Sequence, residues 1–241
     1  MKRLLPAIFP MLLLAAACKS GDGTDWQQLL ADVTEDDLAV MVLPPDQLGD
    51  EYEGLAINAD DGPLDSTEIA DDTIDPNDTA ADIEQGGYVA GYDLFVFDES
   101  LQSLENGAGV FTAGSSVVMF DDEEGAEAAL EKERTDSEEF LGDALDGFVI
   151  AASSNRQDSD LGDKAYAYTL TFEFASVDSS AYLTVVQVRL DRLIATVTIA
   201  RGDQDDVADE AEALARTLVD RIESVARGEL DETPVPIQTD P

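Results

Sequence analysis

Between Lys164 and Arg201 the chain keeps a two-residue period through three consecutive segments, and a 3.6-residue period follows. In Lys164–Ala175, Tyr166, Tyr168, Leu170, Phe172 and Phe174 fall on one side, with Thr169, Thr171 and Glu173 on the other. Tyr182–Leu190 and Leu193–Arg201 predict a hairpin closed through Asp191-Arg192. Val207, Ala211, Leu214, Leu218, Ile222 and Val225 then form one apolar helical stripe. Asp203, Asp205 and Asp206 crowd the start of that helix, where its dipole favours anions, and Arg216, Arg221 and Arg227 lie toward its end. Glu212 and Arg216, like Glu223 and Arg227, are spaced as i,i+4 pairs, and Gly228 is placed to terminate the helix. Strands with one apolar face must bury it, and a helix with one apolar stripe is a cover of the right shape.

Upstream elements extend this pattern. Tyr88–Phe97 and Val110–Phe120 read as strands, the second loosened by Gly114. Asp121-x-x-Glu124 predicts the cap of a helix carrying Ala126, Ala129, Leu130, Phe140 and Leu141 on one side, and Phe148–Ala152 a short strand. The resulting order predicts an α+β fold, an antiparallel sheet with helices packed against it in an α/β/α sandwich-like arrangement. Nearer the N-terminus, Trp26–Leu30 predicts a helical turn, and Thr34-x-x-Asp37 caps the apolar run Leu38–Leu43 that Pro44 and Pro45 end. Asn58–Glu84 is Asp-rich with little periodicity and reads as an irregular segment wrapping the domain, with room for a short helix. The expected division is a signal peptide over 1–17, an anchor and tether over 18–33, the Asp-rich segment over 34–87, the globular domain over 88–228 and a disordered tail over 229–241.

At the N-terminus, Lys2 and Arg3 precede the mostly apolar run Leu4–Leu14, and residues 12–18 read Leu-Leu-Leu-Ala-Ala-Ala-Cys. This order of basic start, apolar middle and small residues before a cysteine resembles the lipobox signal of bacterial lipoproteins. Ala15 stands where that family usually has leucine, with Leu14 one position earlier. The resemblance implies cleavage before Cys18 and acylation of its thiol. Two acyl chains at about 0.8 kcal/mol per buried methylene hold a protein stably on a bilayer. It also implies an extracytoplasmic protein anchored by lipid to the cell membrane or the outer membrane. With Lys19 rather than Asp after the cysteine, the family rule would not retain it at an inner membrane. The apolar run is shorter than a bilayer span and is interrupted by Pro6 and Pro10. The element order over Gly87–Gly228 is similar to that of PsbP-type α/β/α domains. It also resembles the extracellular sensor-like domains of some actinobacterial lipoproteins and receptor kinases. That similarity implies a fold and transfers no function.

Charge narrows the partners. Of 241 residues 54 are Asp or Glu and 13 are Lys or Arg, a formal net charge of −41. Nucleic-acid binding, which needs clustered cations, is therefore not expected. An anionic membrane surface also repels this body, so the lipid has to carry the attachment. The acidic bias resembles that of proteins from salt-loving organisms, where screening weakens self-repulsion. The chain has no histidine and one cysteine, which removes Ser-His-Asp triads, Cys-His pairs and histidine-based zinc sites. No G-x-S-x-G, phosphate-binding glycine loop or Ser-x-x-Lys motif occurs, so neither an enzyme nor a cofactor is expected.

Three groups of residues remain as candidates. Arg189, Arg192 and Arg201 gather on the last hairpin and either contact a partner or neutralise nearby carboxylates. Asp60, Asp61, Asp65, Asp71, Asp72 and Asp75 are candidate ligands of an irregular calcium site. An EF-hand is excluded, because the register that puts Gly62 sixth leaves Ile57 and Ala59 first and third. Tyr166, Tyr168, Phe172 and Phe174 form either sheet core or a pocket wall. These readings predict an anchored module that binds a protein or a small ligand of the envelope. The alternatives are a calcium-binding surface module and a carboxylate-based hydrolase.

Overall fold

The computed structural model describes residues 24–73, 75, 77–99, 109–139, 144–145, 148–156, 161–174, 180–202 and 207–230. The signal, Cys18 and the tail beyond residue 230 lie outside these, as do Asp203, Asp205, Asp206, Phe140 and Leu141.

One antiparallel sheet organises the described residues. Its strands are β1 (Ala56–Ile57), β2 (Pro63–Leu64), β3 (Tyr88–Phe97), β4 (Val110–Phe120), β5 (Ala144–Leu145), β6 (Phe148–Arg156), β7 (Lys164–Phe174), β8 (Ser180–Leu190) and β9 (Leu193–Arg201). They lie in the order β1-β3-β4-β9-β8-β7-β6-β5, with β2 also paired to β3. The two clearest hairpin strands of the sequence thus form the interior of the sheet. Leu190 pairs with Leu193 across the two-residue turn, where Asp191 takes φ 51°. The strand expected over Phe148–Ala152 continues to Arg156.

Alternation divides the apolar residues between two layers. On one face, Phe120, Tyr166, Tyr168, Leu170, Val185 and Ile194 meet Ala126 and Leu130 of the long helix Glu123–Glu139. The cap of that helix is Asp122, one residue later than expected, and its carboxylate accepts from the Gly125 amide at 2.9 Å. On the opposite face, Val186, Val188, Leu190, Val197 and Ile199 meet the C-terminal helix Ala208–Ala226 through Ala211, Leu214, Leu218 and Ile222. Helices Trp26–Leu29 and Glu35–Met41 complete this second layer with Trp26, Leu38 and Met41, all at most 2% exposed. The fold is α+β, with helices on both faces of the sheet.

Two polar contacts fix the N-terminal helices to this layer. The Leu43 amide donates to Oγ of the fully buried Ser115 at 2.8 Å. Arg221 is also buried, and its Nε donates to the Val40 carbonyl at 2.7 Å rather than facing the helix end from solvent.

The Asp-rich segment is more regular than its composition suggests. Besides β1 and β2 it holds helices Ser66–Asp72 and Ala80–Gln85, each opened by a reciprocal cap. Asp65 accepts from the amides of Thr67 and Glu68, while Thr79 and Asp82 play the same parts in the second helix. In chain order the helices are therefore α1 (Trp26–Leu29), α2 (Glu35–Met41), α3 (Ser66–Asp72), α4 (Ala80–Gln85), α5 (Glu123–Glu139) and α6 (Ala208–Ala226).

Gly114 does not loosen β4; it permits close packing there. A Cβ at this position would lie 2.3 Å from the Leu94 carbonyl oxygen and 2.7 Å from the Phe95 Cα, both backbone atoms of β3. Gly114→Ala is therefore expected to destabilise the fold by about 2–3 kcal/mol, seen as a lower urea midpoint at unchanged slope. An unchanged midpoint would show that β3 and β4 do not approach this closely.

Candidate functional site

The three hairpin arginines do not form one patch. Arg189 and Arg192 flank the β8–β9 turn, whereas Arg201 ends β9, about 25 Å away at the rise of a strand. Arg189 is 6% exposed and donates to Glu123 at 2.8 Å. Arg192 donates to the Val33 carbonyl at 2.9 Å, and Arg201 pairs with Glu51 at 3.5 Å. The hairpin register separates residues that are close in sequence, and each guanidinium serves a contact within the fold. Tyr166 and Tyr168 are sheet core under α5, at 3% and 4% exposure. The side chains of Phe172 and Phe174 lie outside the described residues.

Among the described residues the expected aspartates do not converge either. Asp65 caps α3, Asp71 lies within it and Asp60 is exposed. The Asp72 side chain lies outside the described residues. Asp61 is buried, accepting from the Phe95 amide and from Asn58 Nδ2. Burial pushes its carboxyl up to about 6, against the lowering effect of the Phe95 amide. Asp93 beside it accepts from the Gly62 amide at 2.8 Å, so both carboxylates pin the β1–β2 loop to β3.

Among the described residues, one group of three carboxylates lies close enough to hold a metal ion: Asp75, Asp78 and Asp136. Only Asp75 belongs to the expected set. Lys132 Nζ reaches all three, at 3.7, 2.8 and 2.5 Å respectively. Burial opposes the ammonium charge, yet hydrogen bonds to Asp136 and Asp78 outweigh it and hold Lys132 above its ordinary pKa. Next to them Glu133 accepts from the Tyr168 hydroxyl at 2.9 Å, and burial raises its carboxyl. A fixed ammonium thus stands where a cation would be held.

A groove lies on the other side of the Asp-rich segment. Its volume is about 640 Å³, and its floor is Tyr88–Tyr92 of β3. One wall is α2 with Glu35, Asp36 and Ala39; the other is Pro63, Leu64, Asp65 and Ser66, with Glu84 of α4 beside them. The β2–β3 register, Pro63 opposite Tyr92 and Leu64 opposite Gly91, sets the second wall in place. The Tyr88 hydroxyl donates to the Leu64 carbonyl and secures it. Gly91 keeps this floor close to the wall: a Cβ there would come within 3.2 Å of Leu64 Cβ and of the Tyr88 hydroxyl, and those side chains would have to shift by a few tenths of an ångström. Burial raises the Tyr88 phenol, and the charges of Asp65, Glu68 and Glu35 raise it further. Sequence reasoning missed this site because its walls come from separate elements joined only by long-range pairing. The caps Asp65-x-x-Glu68 and Thr79-x-x-Asp82 were readable signals of the helices around it.

No protein-family model matches the chain, and no curated protein matches it. Among solved structures it is similar to the extracellular domain of PknH from Mycobacterium tuberculosis, with a TM-score of 0.53 and 13% sequence identity. The match covers 80% of this chain and 97% of that one, and it shows a shared fold.

Lys132 supplies the prediction for the acidic cluster. Lys132→Met leaves Asp78 and Asp136, whose side chains are 8% and 10% exposed, without their cation. A loss of about 1–3 kcal/mol in stability is expected. In the native chain, millimolar calcium should move the melting temperature no further than sodium chloride of equal ionic strength. A specific calcium shift in the native chain would mean that the ammonium is displaced.

Proposed function

We propose that this chain is a lipid-anchored, extracytoplasmic binding module without catalytic activity of its own. The observation that carries the reading is the pairing of a lipobox-like segment ending in Cys18 with a fold shared with the extracellular domain of PknH. That likeness extends over 97% of the neighbour, so the entire module corresponds rather than a fragment of it. Among the described residues no helix is long and apolar enough to cross a membrane, and acyl chains on Cys18 would hold the protein on a bilayer.

The non-catalytic part rests on the chemistry present. The chain has no histidine, and among the described residues Asp61 and Glu133, whose carboxyls are raised by desolvation, accept hydrogen bonds from the fold's own groups. Acid catalysts of the glycosidase kind need such groups facing a substrate cleft. Neither Asp61 nor Glu133 lines the groove.

Growth of the producing cells with an alkyne-tagged palmitate should label this polypeptide and place it in the membrane fraction. Cys18→Ser should abolish both the label and the partition. Label retained by the Cys18→Ser variant, or native protein recovered unlabelled from the cytosol, would overturn the anchored reading.

A further inference from the structure

The groove between α2 and the β2–α3 wall combines two properties. Its floor is apolar and aromatic, with Tyr88, Val89, Ala90 and Tyr92, and carboxylates stand on both of its sides. Glu35 and Asp36 occupy the α2 wall, and Asp65 and Glu84 the opposite one. No Lys or Arg is among the residues lining it, and among the described residues no ion pair engages those four carboxylates. Elsewhere some of the acids find internal cations: Lys132 serves Asp78 and Asp136, Lys164 serves Glu131, and Arg189 serves Glu123.

An apolar floor between two negative walls complements a molecule with cationic groups set along an apolar stem. Hydrated sodium or magnesium gains nothing from the floor, and an uncharged apolar molecule gains nothing from the walls. The volume, about 640 Å³, lies in the range of small-molecule sites and is modest for a folded partner. The geometry points to this groove as a binding site for a linear aliphatic oligoamine, held by Glu35, Asp36 and Glu84 through its ammonium groups and by the β3 floor through its methylenes. This deepens the binding-module reading by naming a ligand class for it.

The probe is spermidine, titrated calorimetrically into the full mature chain in detergent at 0.15 M sodium chloride. One saturable site is expected, with magnesium chloride of equal ionic strength giving no comparable heat. The triple variant Glu35→Gln, Asp36→Asn, Glu84→Gln removes three wall charges at exposed positions and should weaken spermidine about tenfold or more. A control that neutralises three exposed acids outside the groove, Asp32→Asn, Glu53→Gln and Asp220→Asn, should change affinity less than threefold. Ala39→Lys places an ammonium on the α2 wall and should abolish binding while the melting curve stays cooperative. Equal losses in both triple variants would show diffuse counter-ion attraction and overturn the site. A lysine-rich peptide binding more tightly than spermidine would overturn the small-amine assignment in favour of a protein partner. Absence of saturable binding in a chain that still carries its acyl label removes the ligand class and leaves the anchored module standing. Absence of the label with spermidine bound does the reverse.

Discussion

Burial of the central strands on both faces is the constraint from which the remaining structure follows. In β8 and β9 the alternation sends Val186, Val188, Val197 and Ile199 to one side and Val185 and Ile194 to the other, each at most 6% exposed. A strand that is apolar on both faces needs two covering layers, and α5 and α6 supply them from opposite sides. With both faces filled, a chain of net charge −41 has to carry its carboxylates on outer helix faces, at caps and along the β3 edge. Among the described residues the buried acids Asp61, Asp93 and Asp136 are tied down by amides or by Lys132.

That arrangement gives the Asp-rich segment its role. It pairs with the outer edge of β3 through β1 and β2, and Asp61 and Asp93 lock the connecting loop to the strand. The segment thereby covers a strand edge that would otherwise invite pairing with another chain. It also raises a wall opposite α2, so that a groove opens between two acidic faces. The same residues serve the fold and the groove: Asp65 is both the cap of α3 and part of the groove wall.

Much of the frame was legible in the sequence wherever a period was strong. The bounds of β3, β4 and β9, the two-residue hairpin turn and the stripe of α6 were readable because one rule of burial governs each. The helices of the Asp-rich segment were not, because α3 and α4 have seven and six residues, too short to show a stripe. Their caps carried the available signal. Arg189 and Arg201 looked adjacent because both lie on one hairpin, but strand rise places them at opposite ends. Arg221 looked like a charge complementing the helix dipole and is instead buried on the Val40 carbonyl. The groove was hidden for a further reason: its floor, walls and rim meet only through the pairing of Pro63 with Tyr92 and the seating of α2 on β3.

The account stands on the Asp-rich segment being folded onto the sheet, since otherwise there is no second wall and no groove. Hydrogen exchange followed by mass spectrometry tests this directly over residues 58–97, where the amides of Gly62, Asp93 and Phe95 donate to Asp93, Gly62 and Asp61. The account predicts that these three amides exchange orders of magnitude more slowly than in the unfolded chain. Exchange of residues 58–85 at unfolded-chain rates, while β8 and β9 remain protected, would contradict it.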